Sequence, residues 1–486
     1  MAYTDFIAAI DLGSSHMVGM VGVKDPSGIL SIIAYEVENS DTCIRRGCVY
    51  NIKETAAKIV RLIRKLENKL GGSRIAKVYM GVGGQSLRSI DHSVSRVLGD
   101  GVVTKELLKE LDQECRKYRP ENLDVLAVVS PVYYLDNRQE RDPEGMNCSR
   151  LEVRYKLIVG RPALRHAVTA NMAEQTKVDV AGVVVSPLAL ADLILTEEEK
   201  EEGCALIDFG AGVTSVTMYK EGKLAGLYVI PLGSHLITRD LMSFGISERE
   251  AERVKRTYGN ALWEKAGEQQ MVTVDLVDGQ RSGEIKLSDI NLAVEARSRE
   301  IIENIAARME DAGVAKEPGY SLVISGGGAS LNHIREALGE RLKMDVRFAS
   351  VRKDKISGGE MIANNPSYTT AAALLLKGTE NCAFYVAPEP ERRVMVEHPY
   401  VKETTVVEPP VEETVRETET VGTNRKEEER TSPRDGSRGL FSNGKEKKKS
   451  KDEGPGLFTK WFGNTVEKVG ESIGKALEDE DNRHNK

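Results

Sequence analysis

The feature that most constrains this chain is a repeat inside it. IDLGSS near the start returns as IDFGAG, with Ile10/Ile207, Asp11/Asp208 and Gly13/Gly210 all separated by the same 197 positions. Each copy is an apolar run that ends on an acid, breaks at small residues, and resumes as a second apolar run (HMVGMVGV, VTSVTMY) closed by a turn. That pattern predicts a β-hairpin. Two hairpins of one design, each opening half of the chain, predict two related domains facing each other.

The intervening sequence fits two α/β halves. Residues 53–70 carry a helical apolar stripe closed by Gly71 and Gly72. From about 85 to 162 a helix, several strands and an acidic loop read as an inserted α+β unit. VVVSPLALADLIL reads as a buried strand running into a helix at Pro187, and SLVISGGGASLNHIREAL as strand, Gly-rich turn and helix. A mainly helical section with a short β piece fills 235–315. Between Ala387 and Gly439 there is no Leu, Ile, Phe or Trp, too little apolar surface to order a fold.

The net charge of −7 argues against non-specific nucleic-acid binding, which needs a basic face to replace phosphate counterions. Cys43, Cys48, Cys115, Cys148, Cys204 and Cys382 form no Cys-x-x-Cys pair. They read as reduced thiols of a cytoplasmic protein rather than a metal site or disulfide framework. MAYTDFIAAID does not read as a secretory signal, and no apolar run is long enough to span a membrane.

The repeated turns carry the candidate chemistry. Asp11 with Gly13, Ser14 and Ser15, and Asp208 with Gly210, Ala211, Gly212, Val213 and Thr214, each set an acid beside a turn whose small residues let backbone N–H groups approach phosphate oxygens. Asp11 and Asp208 would hold Mg²⁺, mostly through water. Ser325, Gly326, Gly327 and Gly328 form a third turn before a helix, suited to a nucleotide's phosphates or ribose. It is not a Walker A loop, because no Gly-Lys-Ser/Thr follows.

IDLGSSH, LIDFGAGVTSV and VISGGGASL resemble, in order, the phosphate-1, phosphate-2 and adenosine motifs of the actin, Hsp70 and sugar-kinase superfamily. Within it, the chain resembles the FtsA family of actin-like division proteins over about residues 5–385 and the extreme C-terminal segment. The insertion sits where that family has its subdomain 1C.

The resemblance implies an α/β, actin-like two-lobed ATPase fold made of two RNase H-like domains. Residues 1–84 and 163–203 would form the first lobe core, 85–162 the 1C-like insert, 204–234 and 316–385 the second lobe core, and 235–315 a small subdomain. It further implies ATP and Mg²⁺ between the lobes, with Glu252 and Lys255 framing the adenosine and His16 standing where the family usually has Lys. No catalytic residue is assigned, so at most weak ATPase activity is expected. The implied partners are the FtsZ C-terminal tail, met near Arg297 and Arg299, other division proteins, and further copies of the chain in protofilaments. The alternatives are a small-molecule kinase of the same superfamily and a nucleotide-independent scaffold.

The last segment makes its own case. Phe458, Phe462, Val466, Val469, Ile473 and Leu477 fall on one face of a helix over 456–478, with Trp461 at its edge and Lys460 and Lys468 outside it. Lys445, Lys447, Lys448, Lys449 and Lys451 stand just upstream. This is the pattern of a helix lying in an anionic lipid interface, tethered by a linker over 386–455. Each nearby Lys adds about 1 kcal/mol of attraction, while Gly463, Gly470 and Gly474 each cost the free helix roughly 1 kcal/mol. The expectation is reversible, peripheral attachment to the cytoplasmic face of the inner membrane at the division site.

Overall fold

The computed structural model describes residues 5–169, 174–263, 269–277, 281–357 and 365–384. The linker expected at 386–455 and the helix expected at 456–478, with Phe458, Lys460, Trp461, Phe462, Val466, Lys468, Val469, Ile473 and Leu477, lie outside them.

Two sheets organise the described chain. The first has six strands in the order Asp179–Val185, Lys77–Val82, Ile7–Leu12, His16–Lys24, Leu30–Asn39 and Ile356–Ser357. The three strands from Ile7 to Asn39 form an antiparallel meander, and Lys77–Val82 joins it in parallel. The two central strands are apolar nearly throughout because helices cover both faces. Gly19 lies under Leu62 and Leu66 of the helix Ile52–Lys69, and Gly22, of opposite parity, under Leu375 of the helix Thr369–Lys377. Asn51 caps the first of these helices by accepting from the Glu54 N–H. Gly71 and Gly72, both with positive φ, carry the chain away from it.

The second sheet begins as a copy of the first. Cys204–Phe209, Thr214–Lys220 and Lys223–Ile230 form the meander, flanked in parallel by Ser321–Ser325 and then Asp345–Phe348. The repeat is exact in register: Asp11 lies opposite Val18, and Asp208 opposite Ser215.

The insertion expected at 85–162 supplies four more strands to this second sheet: Arg88–Val102, Asn147–Gly160, Asp124–Leu135 and Arg138–Glu140. Its helix Lys105–Lys117 buries Leu111 and Cys115 against Leu151, Val153 and Tyr155, which alternate along one face of Asn147–Gly160. The section expected at 235–315 contains the helices His235–Met242 and Glu248–Tyr258, the hairpin Met271–Asp275 with Ser282–Lys286, and the helix Leu287–Asp311.

One expected boundary is corrected. Residues 316–385 do not all belong to the second lobe. Ile356 and Ser357 pair with Leu30 and Ser31 of the first sheet, and Ala371, Ala372, Ala373, Leu374 and Leu375 are fully buried in the first core. A helix apolar on every side needs enclosure all round, and the first sheet with the helix Ser186–Ile194 provides it. Cys382 then donates its N–H to the Phe6 carbonyl at 2.7 Å, and Ala76 donates to the Cys382 carbonyl.

Five of the six cysteines are buried and all are free thiols. Among the described residues no helix is long and apolar enough to cross a membrane.

Candidate nucleotide site

The two repeated turns share one construction. A Cβ on Gly13 would sit 2.5 Å from the His16 carbonyl oxygen, and one on Gly210 would sit 2.7 Å from the Val213 carbonyl oxygen, in both cases three residues on. Only glycine closes such a turn. In the first, Ser40 secures the carbonyls: its hydroxyl donates to Gly13 O at 2.6 Å and its N–H to Ser15 O at 3.0 Å. In the second, the N–H groups of Ser234 and His235 donate to Gly210 O and Ala211 O at 3.0 and 2.9 Å. Gly233 packs against Ala211, where a Cβ would come within 2.3 Å of its carbonyl oxygen.

The turns meet across the lobes. A Cβ on Gly212 would lie 2.3 Å from Ser14 Oγ and 2.7 Å from Ser14 Cβ. Ser14 Oγ accepts the Gly47 N–H at 2.8 Å. The third turn closes on the second hairpin, with Ser325 paired to Asp208 in register. Gly326 has φ +86°, and a Cβ there would be 2.5 Å from Phe209 O and 2.6 Å from Asp208 Oδ1. Gly328 lies against Phe209 and Ser234, and Gly327 faces Ser367.

Asp11 and Asp208 are the electrostatic centre. Burial, and then the charge of Asp208, pushes Asp11 up to about 7; burial raises Asp208 to about 6. Two carboxylates that resist ionisation side by side are stabilised by a cation between them. Among the described residues no cluster of three or more His, Cys, Asp or Glu suits a metal. A pair of carboxylates is the donor set Mg²⁺ usually takes, its shell being completed by water and phosphate oxygens.

Glu252 and Lys255 lie behind the second turn. Lys255 is buried and donates to Glu252 Oε2 at 2.6 Å, to Thr238 Oγ1 at 2.9 Å and to Ser234 O at 3.3 Å. Thr238 also donates to Glu252 at 2.7 Å. Burial holds the Lys255 ammonium below its usual range, against the opposing pull of Glu252.

Other expected site residues are placed differently from their neighbours. Thr214 is buried and its hydroxyl donates to Leu232 O at 2.8 Å, so it braces the turn from the core side. His16 lies beside Ser15, with Nδ1 3.4 Å from its hydroxyl, and burial depresses its pKa, leaving it neutral at pH 7.

Arg297 is a structural cation. It forms a two-pronged pair with Asp240, at 2.6 and 3.0 Å, and a further one with Glu300. Arg299 is exposed and pairs with Glu295 one turn away. Arg297 therefore ties the helix Leu287–Asp311 to His235–Met242.

Sequence reading missed the supporting residues. Ser186, at the strand-to-helix junction, approaches Asp11 across Gly81, where a Cβ would lie 2.6 Å from Ser186 Oγ and 3.3 Å from Asp11 Oδ1. Its only sequence signal is Ser before Pro187 at a helix start. Ser40, Gly233 and the Arg46–Gly47 turn carry no motif at all.

Comparison with known proteins agrees with this architecture. Residues 205–373 match the family model "Cell division protein FtsA", and residues 84–159 match "SHS2 domain inserted in FTSA". The chain is 32% identical over 383 residues to the cell division protein FtsA of Porphyromonas gingivalis, covering 78% of this chain and 79% of the relative. It is 27% identical over 382 residues to the FtsA of Bacillus subtilis, covering 77% and 84%. A solved structure titled "PilM-PilN type IV pilus biogenesis complex" shares the fold, with a TM-score of 0.54 at 16% identity over 77% of this chain and 98% of that one. With its duplicated hairpins, its insert and these relatives, the chain belongs to the FtsA family of cell division proteins, built on the actin-like fold.

Proposed function

We propose that this protein binds ATP with Mg²⁺ between its lobes, polymerises in the bound state, and tethers FtsZ filaments to the cytoplasmic face of the cell membrane through residues 456–478. The observation that carries the nucleotide reading is the meeting of two glycine turns, Ser14 against Gly212, beside two carboxylates that both resist ionisation. Backbone N–H groups of the turns would cradle phosphates, and Asp11 and Asp208 would orient the water shell of the metal. Bound Mg²⁺ would neutralise charge on the phosphates and on both carboxylates. The 325–328 turn and the Glu252–Lys255 pair would flank the nucleoside. Ser186 Oγ and Asp11 Oδ1 both approach the point where Gly81 would carry a Cβ, and a serine is a poor base at neutral pH, which supports slow turnover at most.

The membrane reading rests on the amphipathic sequence of 456–478, and the FtsZ reading on family membership, with the acidic and apolar FtsZ tail meeting the 235–315 subdomain. The test uses the full chain and one ending before Gly454, sedimented with anionic liposomes and FtsZ, with and without Mg-ATP. The full chain should pellet with liposomes and carry FtsZ with it; equal pelleting of the two chains would sink the anchor. Calorimetry should show Mg-ATP binding that Asp208→Ala abolishes. A scaffold that needs no nucleotide would show neither.

A further inference from the structure

Arg46 and Gly47 form a tight turn between the short strands Ile44–Arg45 and Cys48–Val49. It touches both phosphate turns that the nucleotide reading invokes. Gly47 N–H donates to Ser14 Oγ of the first phosphate turn. Arg46 Cα lies 3.1 Å from the point where Gly212 of the second would carry a Cβ.

On its other side the turn meets the root of the insert. Gln85 N–H donates to Arg46 O at 3.1 Å, and a Cβ on Gly47 would stand 2.8 Å from Gly83 O and 2.9 Å from Gly84 Cα. Two residues on, that root bonds to the second sheet. Val229 N–H donates to Leu87 O at 3.1 Å, and Leu227 N–H to the buried Ser89 hydroxyl at 2.9 Å.

Arg46 itself is held at φ +50°, a conformation that costs a non-glycine residue energy and that tends to persist where the surroundings over-determine it. Glycine would be the default there, yet the position carries an exposed guanidinium. Its one side-chain contact among the described residues is Nη1 to Gln85 Oε1 at 3.5 Å, at the outer limit of a hydrogen bond and easily exchanged. Of the other basic groups near the turns, Lys255 is matched by Glu252, Arg45 stacks on Tyr50, and burial disfavours the charged form of His16.

Resting on the nucleotide reading above, we infer that Arg46 is the residue that distinguishes a nucleoside triphosphate from a diphosphate. It would leave Gln85 to take the terminal phosphate and thereby signal nucleotide state to the root of the insert. A guanidinium forms paired, charge-assisted hydrogen bonds with phosphate oxygens, and the terminal phosphate is the group present in one nucleotide and missing in the other. Exchange of the Gln85 contact alters a side-chain link between the turn and the root, which is itself bonded to the opposite lobe.

The test compares the full chain with Arg46→Gly, which suits the left-handed turn, and with Arg46→Lys. Calorimetry measures Mg-ATP and Mg-ADP affinity, and hydrogen exchange follows residues 84–89 and 227–229 with each nucleotide. The parent should bind ATP more tightly than ADP and protect both segments more with ATP. Arg46→Gly should lose about tenfold or more in ATP affinity and under about threefold in ADP affinity, with the exchange difference gone. Arg46→Lys should fall between.

Equal losses for both nucleotides, or an unchanged ATP preference, would overturn the inference while leaving nucleotide binding intact. A parent chain that binds neither nucleotide overturns the nucleotide reading first and this inference with it.

Discussion

Replacing Gly212 by alanine probes the meeting of the lobes directly. The new methyl would lie 2.3 Å from Ser14 Oγ and 2.7 Å from Ser14 Cβ, where apolar contacts settle at about 3.5–4.0 Å. The turns must part by about 1 Å, at an overpacking cost of about 1–3 kcal/mol. Ser14 also risks its hydrogen bond from Gly47, worth about 0.5–1.5 kcal/mol. A central value of about 2 kcal/mol corresponds to a thirtyfold rise in Kd. If the lobes open without nucleotide, the whole cost falls on Mg-ATP affinity and the melting temperature of the free protein is unchanged. If they stay closed, it falls on stability. Either way Ser14→Gly, which removes both clashing atoms, must rescue, with a coupling of at least about 1 kcal/mol in the double-mutant cycle. Strict additivity of the two substitutions would refute the contact.

The raised carboxylates fix a pH dependence. Asp11 goes from 3.8 to about 7 on folding, so its charged form opposes folding; that penalty is absent below pH 4, grows between pH 4 and 7, and is complete above. Solvent contact reduces it to about 2 kcal/mol, so in Mg²⁺-free buffer Asp11→Asn should melt above the parent at pH 7.5 and level with it near pH 4. Gly326→Ala combines a positive φ with a Cβ 2.5 Å from Phe209 O, and should cost about 2–4 kcal/mol in chemical denaturation. Arg297→Ala leaves Asp240 half-buried without its two-pronged partner and should cost about 2 kcal/mol. Arg299→Ala, at an exposed pair, should change stability by under about 0.5 kcal/mol in the same assay.

The sequence was most legible where the fold repeats itself. Asp11 and Asp208 keep their 197-residue spacing down to the partner opposite each, because a hairpin's register follows from local turn chemistry and alternation. The insert was legible for the same reason, its strands alternating against one helix.

What escaped was long-range. Nothing in PSYTTAAALLLKG states which lobe encloses it, since an apolar helix fits any slot deep enough, and the chain crosses back where Ile356 pairs with Leu30. Arg297 read as an exposed recognition residue because its partner Asp240 stands 57 positions away. Arg46 was invisible for a different reason: left-handed backbone at a non-glycine residue leaves no mark in the sequence.

The contacts also bear on how the lobes can move. They touch at the phosphate turns, Ser14 against Gly212, and again at the root of the insert, where Leu87 and Ser89 bond to Val229 and Leu227. Between them the lobes share buried core, where Leu206, Leu224, Leu227, Val229 and Val323 of the second sheet cluster with Leu190, Leu193 and Ile194 of the helix Ser186–Ile194, so the lobes turn about packed ground instead of separating. The root contact is the sturdier, because parting it strands the buried Leu227 N–H without its acceptor, whereas the turns end in small residues that water can cover. Opening should therefore begin at the phosphate turns and pivot on the shared core and the root of the insert. The insert grows from the first lobe yet completes the second sheet, so it cannot stay fixed to both as the lobes turn. Its orientation is tied to the angle between them, and that angle is what a ligand bridging Ser14 and Gly212 would set.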